Sequence, residues 1–495
     1  MAVLAVDAGT TGVTALVVTD DGRIAARGYE EIPQHFPRPG WVEHEPEQIW
    51  QATLAAARQA LDGVAGSPAA GLAAVGLTNQ RETAVLWDRR TLAAPRRAIV
   101  WQDRRTAAIC DRLRAAGHEP RVAELTGLRL DPYFTGTKLT WLAENDERSW
   151  AGVRDGLVAV GTVDSYVVAR MTGGAHVTDP SNASRTLLYD LAGGRWSAEL
   201  CDLLGVPVGA LPEVVASSGR LGRTSPDAFL GLDLPVAGIA GDQQAALFGQ
   251  ACYREGEAKC TYGTGSFVLV NTGGTPVRSD AGLLTTVAWD LGDGPAYALE
   301  GAVFVTGAAV QWLRDGLGLI GSADEIEGLA RSVPDSGGVV FVPALTGLGA
   351  PDWDPAARGT IVGITRGTGR AHLARATLES IAFQVRDVVD VMTEAAGLAL
   401  PELSVDGGAS VNDLLCQLQA DQLGVPVRRP EARETTALGA AFLAGLGTGV
   451  WSSTDELAGT WRLDRRFSPT AGERDGPAHA RWRAAVERAK GWVEP

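Results

Sequence analysis

An α/β protein made of two related halves, each with a mixed sheet, is the fold class this sequence predicts. Three observations predict it. A Gly-Thr-rich turn followed by a β-branched run occurs twice, as VDAGTTGVTALVV (Val6–Val18) and, past the midpoint, as CTYGTGSFVLVNT (Cys260–Thr272). Strand-like and helix-like segments alternate along the chain. The 495 residues suit two large domains, and no Ser/Pro/Gly-rich linker separates the halves. Overlaid on their glycines, Gly9-Thr10 falls on Gly263-Thr264, and Asp7 falls on Thr261. Such a turn presents N–H groups and hydroxyls in a small concavity that suits phosphate oxygens. Two of them point to one polyphosphate held between two domains.

The elements follow in order. AVLAVDAG and ALVVTDDG read as paired strands, and Asp20-Asp21-Gly22 signals the next hairpin. A helix is expected from about Glu45, with Pro46 in its first turn and Ile49, Trp50 and Leu54 on one face. Leu72–Gln80 and TAVLWD read as further strands, and Ser225–Asp242 as a loop and a short apolar strand leading into the helix QQAALFGQ. In the second half, Leu378, Ile381, Ala382, Val385, Val388, Val389 and Met392 keep helical spacing up to a C-cap at Gly397. Pro401–Gly408 reads as a strand that turns into a helix near Asn412. The expected division is 1–250 and 251–495.

Composition narrows the function classes. Hydrophobic residues make up 45% and charged residues 21%, an ordinary globular balance with ample core. A net charge of −15 with a pI near 5.0 argues against nucleic acid or an anionic membrane as the main partner. The five cysteines form no C-x-x-C pair and suit a reducing compartment. Asp7 interrupts the apolar opening, and no stretch of about twenty apolar residues appears, so a cytoplasmic protein is expected. Basic residues are almost all arginine, with lysine only at positions 138, 259 and 490; this reads as a bias of the coding genome with little bearing on function.

No G-x-x-x-x-G-K-[ST] and no H-R-D or D-F-G set is present, so any ATP must be held by the paired turns. Asp7 beside the first turn is placed to hold Mg²⁺, directly or through water, or else to bond its own backbone. Asp242 stands where a strand ends and a helix begins, outside the carboxyl ends of the strands, where ligands collect in open α/β sheets. As an N-cap it would have its pKa held low by the helix N-terminus, which suits a base acting late in phosphoryl transfer. Arg81-Glu82 set a forked donor beside an acceptor for adjacent hydroxyls, and Trp101 and Tyr133 offer apolar faces to a carbon chain. Each of these is also explicable as a surface pair or a core aromatic. Gly407-Gly408 offers close backbone approach, with Asn412 beyond it as a cap or a nucleotide contact. The residues alone therefore indicate a two-domain ATP-dependent phosphotransferase or ATPase.

The chain resembles the FGGY carbohydrate kinases, and among them the members that act on glycerol. The family's two signatures are matched by YFTGTKLTWLAEN (Tyr133–Asn145) and GTIVGITRGTGRAHLARATLE (Gly359–Glu379). PGWVEHEP, GLTNQRET, AIVWQDRRT, DPYFTGTK, TDPSNASRT, GDQQAALFGQ, LEGAVF and ALTGLGAPDWD extend the likeness from end to end. The resemblance implies duplicated ribonuclease-H-like (actin-like ATPase) domains with the active site in the interdomain cleft. It implies glycerol held by Arg81, Glu82, Trp101, Tyr133, Asp242, Gln243 and Phe267, with Asp242 as general base. It further implies ATP around Thr10, Thr11, Gly12, Thr264, Gly307, Gln311, Gly408 and Asn412, Mg²⁺ at Asp7, and sn-glycerol 3-phosphate as product. Relatives are often dimers or tetramers.

The sequence also departs from that pattern. Ala8 stands where Gln is common, Gly12-Val13-Thr14 where Ser-Ser-Arg is common, Ser266 where Cys is common, and Asp352 where an aromatic residue is common. Two rival readings follow: a kinase for another small polyol or ketose (dihydroxyacetone, erythritol, xylulose), and a non-catalytic actin-like ATPase or sensor. Retention of both Asp7 and Asp242 weighs against the second.

Overall fold

The two Gly-Thr segments fold as β-hairpins at corresponding places in two sheets. The computed structural model describes residues 1–64 and 71–493. The first sheet contains β1 (Ala2–Ala8), β2 (Gly12–Thr19), β3 (Ile24–Glu31), β4 (Leu72–Asn79), β5 (Ser218–Arg223) and β6 (Pro235–Gly241) in the order β5-β6-β4-β1-β2-β3. The second contains β7 (Ala258–Tyr262), β8 (Ser266–Gly273), β9 (Leu284–Asp290), β10 (Pro295–Val303), β11 (Leu403–Asp406), β12 (Val427–Pro430) and β13 (Leu463–Phe467) in the order β9-β10-β8-β7-β11-β12-β13. In each, the opening strand pairs antiparallel with its hairpin partner and parallel with a distant strand, β4 or β11. The shared core orders, β3-β2-β1-β4-β6 and β10-β8-β7-β11-β12, are the duplicated ribonuclease-H-like arrangement that the resemblance implies.

Alternation along each strand sorts side chains onto two faces. Leu4, Val6, Val13 and Val17 face α1 (Pro46–Asp62) and α2 (Val163–Thr172), through Ile49, Trp50, Tyr166 and Val167. The intervening residues Val3, Ala5, Leu16 and Val18 belong to the opposite face, in one apolar cluster with α3 (Asp242–Gly249). In the second half, Cys260, Tyr262, Val268 and Val270 pack on the expected long helix, α4 (Arg370–Ala396), which ends at a left-handed Gly397, and on α5 (Asp413–Leu423).

A further helix, α6 (Thr435–Thr448), comes from late in the chain yet covers the first sheet beside α3. Together α3 and α6 form a middle layer that also meets Leu269 and Ala298 of the second sheet. Two glycines let their backbones touch: a Cβ on Gly439 would lie 1.8 Å from the Ala245 carbonyl, and one on Gly249 would lie 2.0 Å from that of Thr435. Among the described residues, no helix is long and apolar enough to cross a membrane.

Candidate active site between the two halves

The first turn is braced from beneath. Gly9 N–H donates to the Gly12 carbonyl at 3.0 Å. Gln80, at the end of β4, donates its Nε2 to the Gly9 carbonyl (3.0 Å) and to Nδ1 of the fully buried His44 (3.2 Å). Burial pushes the His44 imidazole down to about 4, so this support is a neutral ring. Thr10 accepts from the Trp101 indole at 2.9 Å, and Thr11 stands exposed. Gly12 has a packing reason to be glycine, because a Cβ there would lie 2.6 Å from the Tyr29 hydroxyl.

Asp7, next to last on β1, pairs with Thr78 on the neighbouring strand. Asp7 Oδ1 and Thr78 Oγ1 are both buried without a hydrogen-bond partner. Burial, then Asp242, then Glu434 raise the Asp7 carboxyl far above its usual range. Two unpartnered hard oxygens on one rung, in a field of like charge, fit a divalent cation that keeps most of its ligands from water and phosphate. No group of three or more His, Cys, Asp or Glu among the described residues could hold a metal, so the protein share of such a site is small.

The residues that the resemblance assigns to glycerol converge on Arg81. Its Nε lies 3.0 Å from Asp242 Oδ1, its Nη2 3.3 Å from the Tyr133 hydroxyl, and its guanidinium 5.9 Å from the centre of the Phe267 ring. Trp101 and Tyr133 meet edge to face at 5.6 Å. The expected free fork is absent, however. Both terminal nitrogens of Arg81 are taken by Glu300 on β10, at 2.5 and 3.1 Å, and Nη1 also reaches Gln244 at 3.2 Å. Glu82 likewise accepts from Arg185 at 2.7 Å, and Arg185 reaches Glu300 at 2.9 Å. These four charges are at most 2% exposed and join the first half to the second. Burial opposes ionisation of Glu300, but Arg185 and Arg81 outweigh it and hold the carboxyl down at about 2. Glu82 sits in a left-handed backbone conformation (φ 59°), the kind of local strain that collects at functional sites.

Asp242 differs from expectation in two respects. Gly241 is the N-cap, and Asp242 is the first helical residue, its Oδ1 accepting from Gln243 N–H at 2.7 Å. Its pKa is raised instead of lowered: burial outweighs Arg81, Lys259 and the Gln243 amide. The side chain remains 30% exposed, so it meets the cleft while its neighbours are sealed.

The second turn is tied to the elements that the resemblance assigns to the nucleotide. Gly263 N–H donates to the Gly265 carbonyl at 2.8 Å, and Thr264 is exposed. The short helix Gly307–Gln311 points its first amides at this turn: Gly307 N–H reaches the Gly263 carbonyl and Ala308 N–H that of Thr264, each at 3.0 Å. Those amides are therefore engaged before any ligand arrives. Gln311 ends that helix exposed. Close backbone approach falls at Gly407, whose Cβ would lie 2.5 Å from the Tyr262 carbonyl, and not at Gly408, which faces open space. Asn412 caps α5 by accepting from Leu415 N–H at 2.9 Å.

Residues 2–249 match the N-terminal domain of the FGGY family of carbohydrate kinases, and residues 258–448 match its C-terminal domain. The chain belongs to this family. The FGGY kinase described here is 56% identical to a glycerol kinase of Aromatoleum aromaticum over 99% of both chains. It is 54% identical to one of Deinococcus radiodurans, over 99% of this chain and 98% of that one. Among solved structures it superposes on Plasmodium falciparum glycerol kinase with ADP at a TM-score of 0.91 and 33% identity, covering 100% of this chain and 99% of that one. A xylulose kinase of Rhodospirillum rubrum follows the same fold, with a TM-score of 0.86, 26% identity, and coverage of 99% and 98%. The fold is the actin-like ATPase fold.

In this FGGY kinase, sequence reasoning missed Glu300, Arg185, Lys259 and Gln244. Glu300 and Lys259 each sit inside an otherwise apolar strand, and a lone charge there demands a partner. That demand was the available signal; the partner's identity was not legible. Asp352, without a reason in the sequence, pairs with Arg483 (3.2 Å) and Lys490 (2.8 Å) and so fastens the C-terminal helix Pro477–Ala489.

Proposed function

We propose that this FGGY kinase transfers the γ-phosphoryl group of ATP to a terminal hydroxyl of glycerol, giving sn-glycerol 3-phosphate and ADP. The observation that carries the reading is the cluster around Arg81: every residue that the resemblance assigns to glycerol is joined to it directly or through one neighbour. The single partly open acid among them is Asp242. Relatives about as similar as 56% over the full length carry the name glycerol kinase.

Asp242 accepts the proton of the attacking hydroxyl as its oxygen bonds to the γ-phosphorus and the bond to the ADP oxygen breaks. Burial raises the pKa of the Asp242 carboxyl, which makes it a stronger base than the low-pKa carboxylate expected of an N-cap. Arg81 holds Asp242 by an ion pair through Nε while its fork stays locked on Glu300, so the base cannot swing away. Trp101 spans the two substrates, its ring beside Tyr133 and its N–H on Thr10 of the first turn. The turns at Gly9–Thr11 and Gly263–Gly265 receive the phosphates from opposite halves, with Gly12, Gly307, Gln311, Gly408 and Asn412 around the nucleotide. Mg²⁺ held by Asp7 beside Thr78 would offset the charge of the β- and γ-phosphates. The working unit is the two halves expected at 1–250 and 251–495, with α6 staying on the first sheet, closing on each other and excluding water from the γ-phosphate. The reading has the enzyme act in the cytoplasm, which suits its free, buried cysteines.

A coupled ADP-release screen over glycerol, dihydroxyacetone, erythritol and xylulose tests the proposal. Glycerol should give the highest kcat/KM; a pentulose turned over as well as glycerol overturns it.

A further inference from the structure

Lysine is rare here. Only three of the 44 basic residues are lysine, and two of those three, Lys138 and Lys259, are 0% exposed. The rarity that reads as genome bias therefore makes the retained lysines informative, because arginine and lysine differ in shape, hydration and donor geometry. Lys490 serves Asp352 and Glu487 at the C-terminal helix. Lys138 donates to the carbonyls of Tyr133 (2.5 Å) and Phe134 (3.2 Å), bracing the helix start that carries Tyr133. Lys259 does something else.

Lys259 lies on β7, two residues before Thr261 and three before Tyr262, which flanks the second turn. Its Nζ is 2.5 Å from Gln243 Oε1 and 2.8 Å from Thr261 Oγ1. Both hydrogen-bond partners are neutral, so the charge is offset only through space, by carboxylates it does not touch. Burial pushes its pKa down, and Asp406, Asp242 and Glu300 feel its field. An ammonium buried among neutral partners costs stability, and such costs are kept where activity needs them. Two further facts fix where that activity lies. Gln243 belongs to α3 of the first half, so the contact crosses between halves. Thr261 occupies the position that overlays Asp7, so where the first hairpin carries a carboxylate the second carries a hydroxyl bonded to an ammonium.

We propose that Lys259 is a positioning residue for the transfer: it fixes the Gln243 side chain from the opposite half and sets a positive charge beside Asp242 at the root of the second turn. With its oxygen held by Lys259, the Gln243 amide keeps its two N–H donors for a hydroxyl oxygen. This inference rests on the glycerol reading above.

Lys259→Met removes the charge and keeps the shape. Its thermal midpoint should stay close to that of the wild type, since the desolvation cost removed with the charge and the hydrogen bonds lost at Gln243 and Thr261 oppose each other. Its glycerol KM should rise about tenfold, the size of one lost charge-assisted hydrogen bond, with the ATP KM changed less than about threefold. A merely structural lysine would do the reverse, lowering the midpoint and leaving KM alone. In a Gln243→Ala background the same substitution should change the glycerol KM by less than about twofold, because its effect runs through Gln243. Lys259→Gln carries the comparison if Lys259→Met does not fold. A glycerol KM within about twofold of wild type, or effects of the two substitutions that simply multiply, overturns the assignment. Glycerol titration of tryptophan fluorescence without ATP separates the failures: a wild type that neither binds nor turns over glycerol removes the functional reading itself, whereas an active wild type with multiplying effects removes only the role of Lys259.

Discussion

The hairpins β1–β2 and β7–β8 hold equivalent places in their sheets but differ in two details. Four residues separate the last paired positions of the first (Ala8 and Val13), and three separate those of the second (Tyr262 and Ser266). On the rung just before the turn, Asp7 of β1 faces Thr78 of β4, whereas Thr261 of β7 faces Asp406 of β11. Both rungs hold one aspartate and one threonine, with the strands exchanged. Their hydrogen bonding separates them. Asp406 accepts from Gln250 and Thr435, each at 2.8 Å, while Asp7 Oδ1 and Thr78 Oγ1 have no partner. One acid is tied into the framework and the other is left open. Position in a duplicated fold therefore does not fix a residue's task; the partners that surround it do.

The largest expected effect removes the proposed base near the open acid. Asp242→Asn should lower kcat by about 10²–10⁴-fold while ADP binding, followed by calorimetry, stays near wild type; turnover close to wild type would sink the assignment. Next comes the charge network that ties the halves together. Glu300→Gln leaves two buried arginines short of a carboxylate and should cost about 3–5 kcal/mol of stability in urea unfolding. A loss below about 1 kcal/mol, the size of a surface pair, would mean the four charges are not a buried unit.

The rungs themselves can then be set against each other. Asp406→Asn should cost about 1–3 kcal/mol of stability through its lost hydrogen bonds and leave the Mg²⁺ concentration for half-maximal activity unchanged. Asp7→Asn should shift that concentration upward and keep or raise the thermal midpoint. Equal effects at the two sites would erase the distinction. The smallest effect is in pH. His44 and His176 are both pushed down to about 4 by burial, so the unfolded chain binds protons first as pH falls from about 6.5. The share of stability that these two neutral rings contribute should therefore be full above about 6.5 and be lost toward pH 4, so the thermal midpoint of wild type minus that of His44→Gln should shrink over that window.

Much of the fold was legible because its signals are local. Alternation gave the strands around each turn, and the spacing from Leu378 to Met392 gave α4 together with its stop at Gly397. The turns, Asp7 and Asp242 stood out because glycine and acid are costly in apolar runs unless they serve a purpose. What stayed hidden depends on partners far away in sequence. Arg81 reads as an open fork until Glu300, on a strand of the other half, is seen to fill it. The expected N-cap was displaced by one residue because Gly241 supplies the extended backbone that the cap requires. The direction of the Asp242 shift could not be read either, since it depends on how much of the cleft is sealed around it.

The middle layer has a consequence for how the protein is made. The apolar face of the first sheet, Val3, Ala5, Leu16 and Val18, is complete once β6 and α3 have left the ribosome, yet α6 is encoded nearly two hundred residues later. At ordinary translation speeds that interval lasts about 10–40 s. Throughout it the nascent first half carries an uncovered greasy surface, ready for a chaperone or for another unfinished chain. Only when Gly439 settles against Ala245 does that surface close, so the core of the first half waits on the last fifth of the polypeptide.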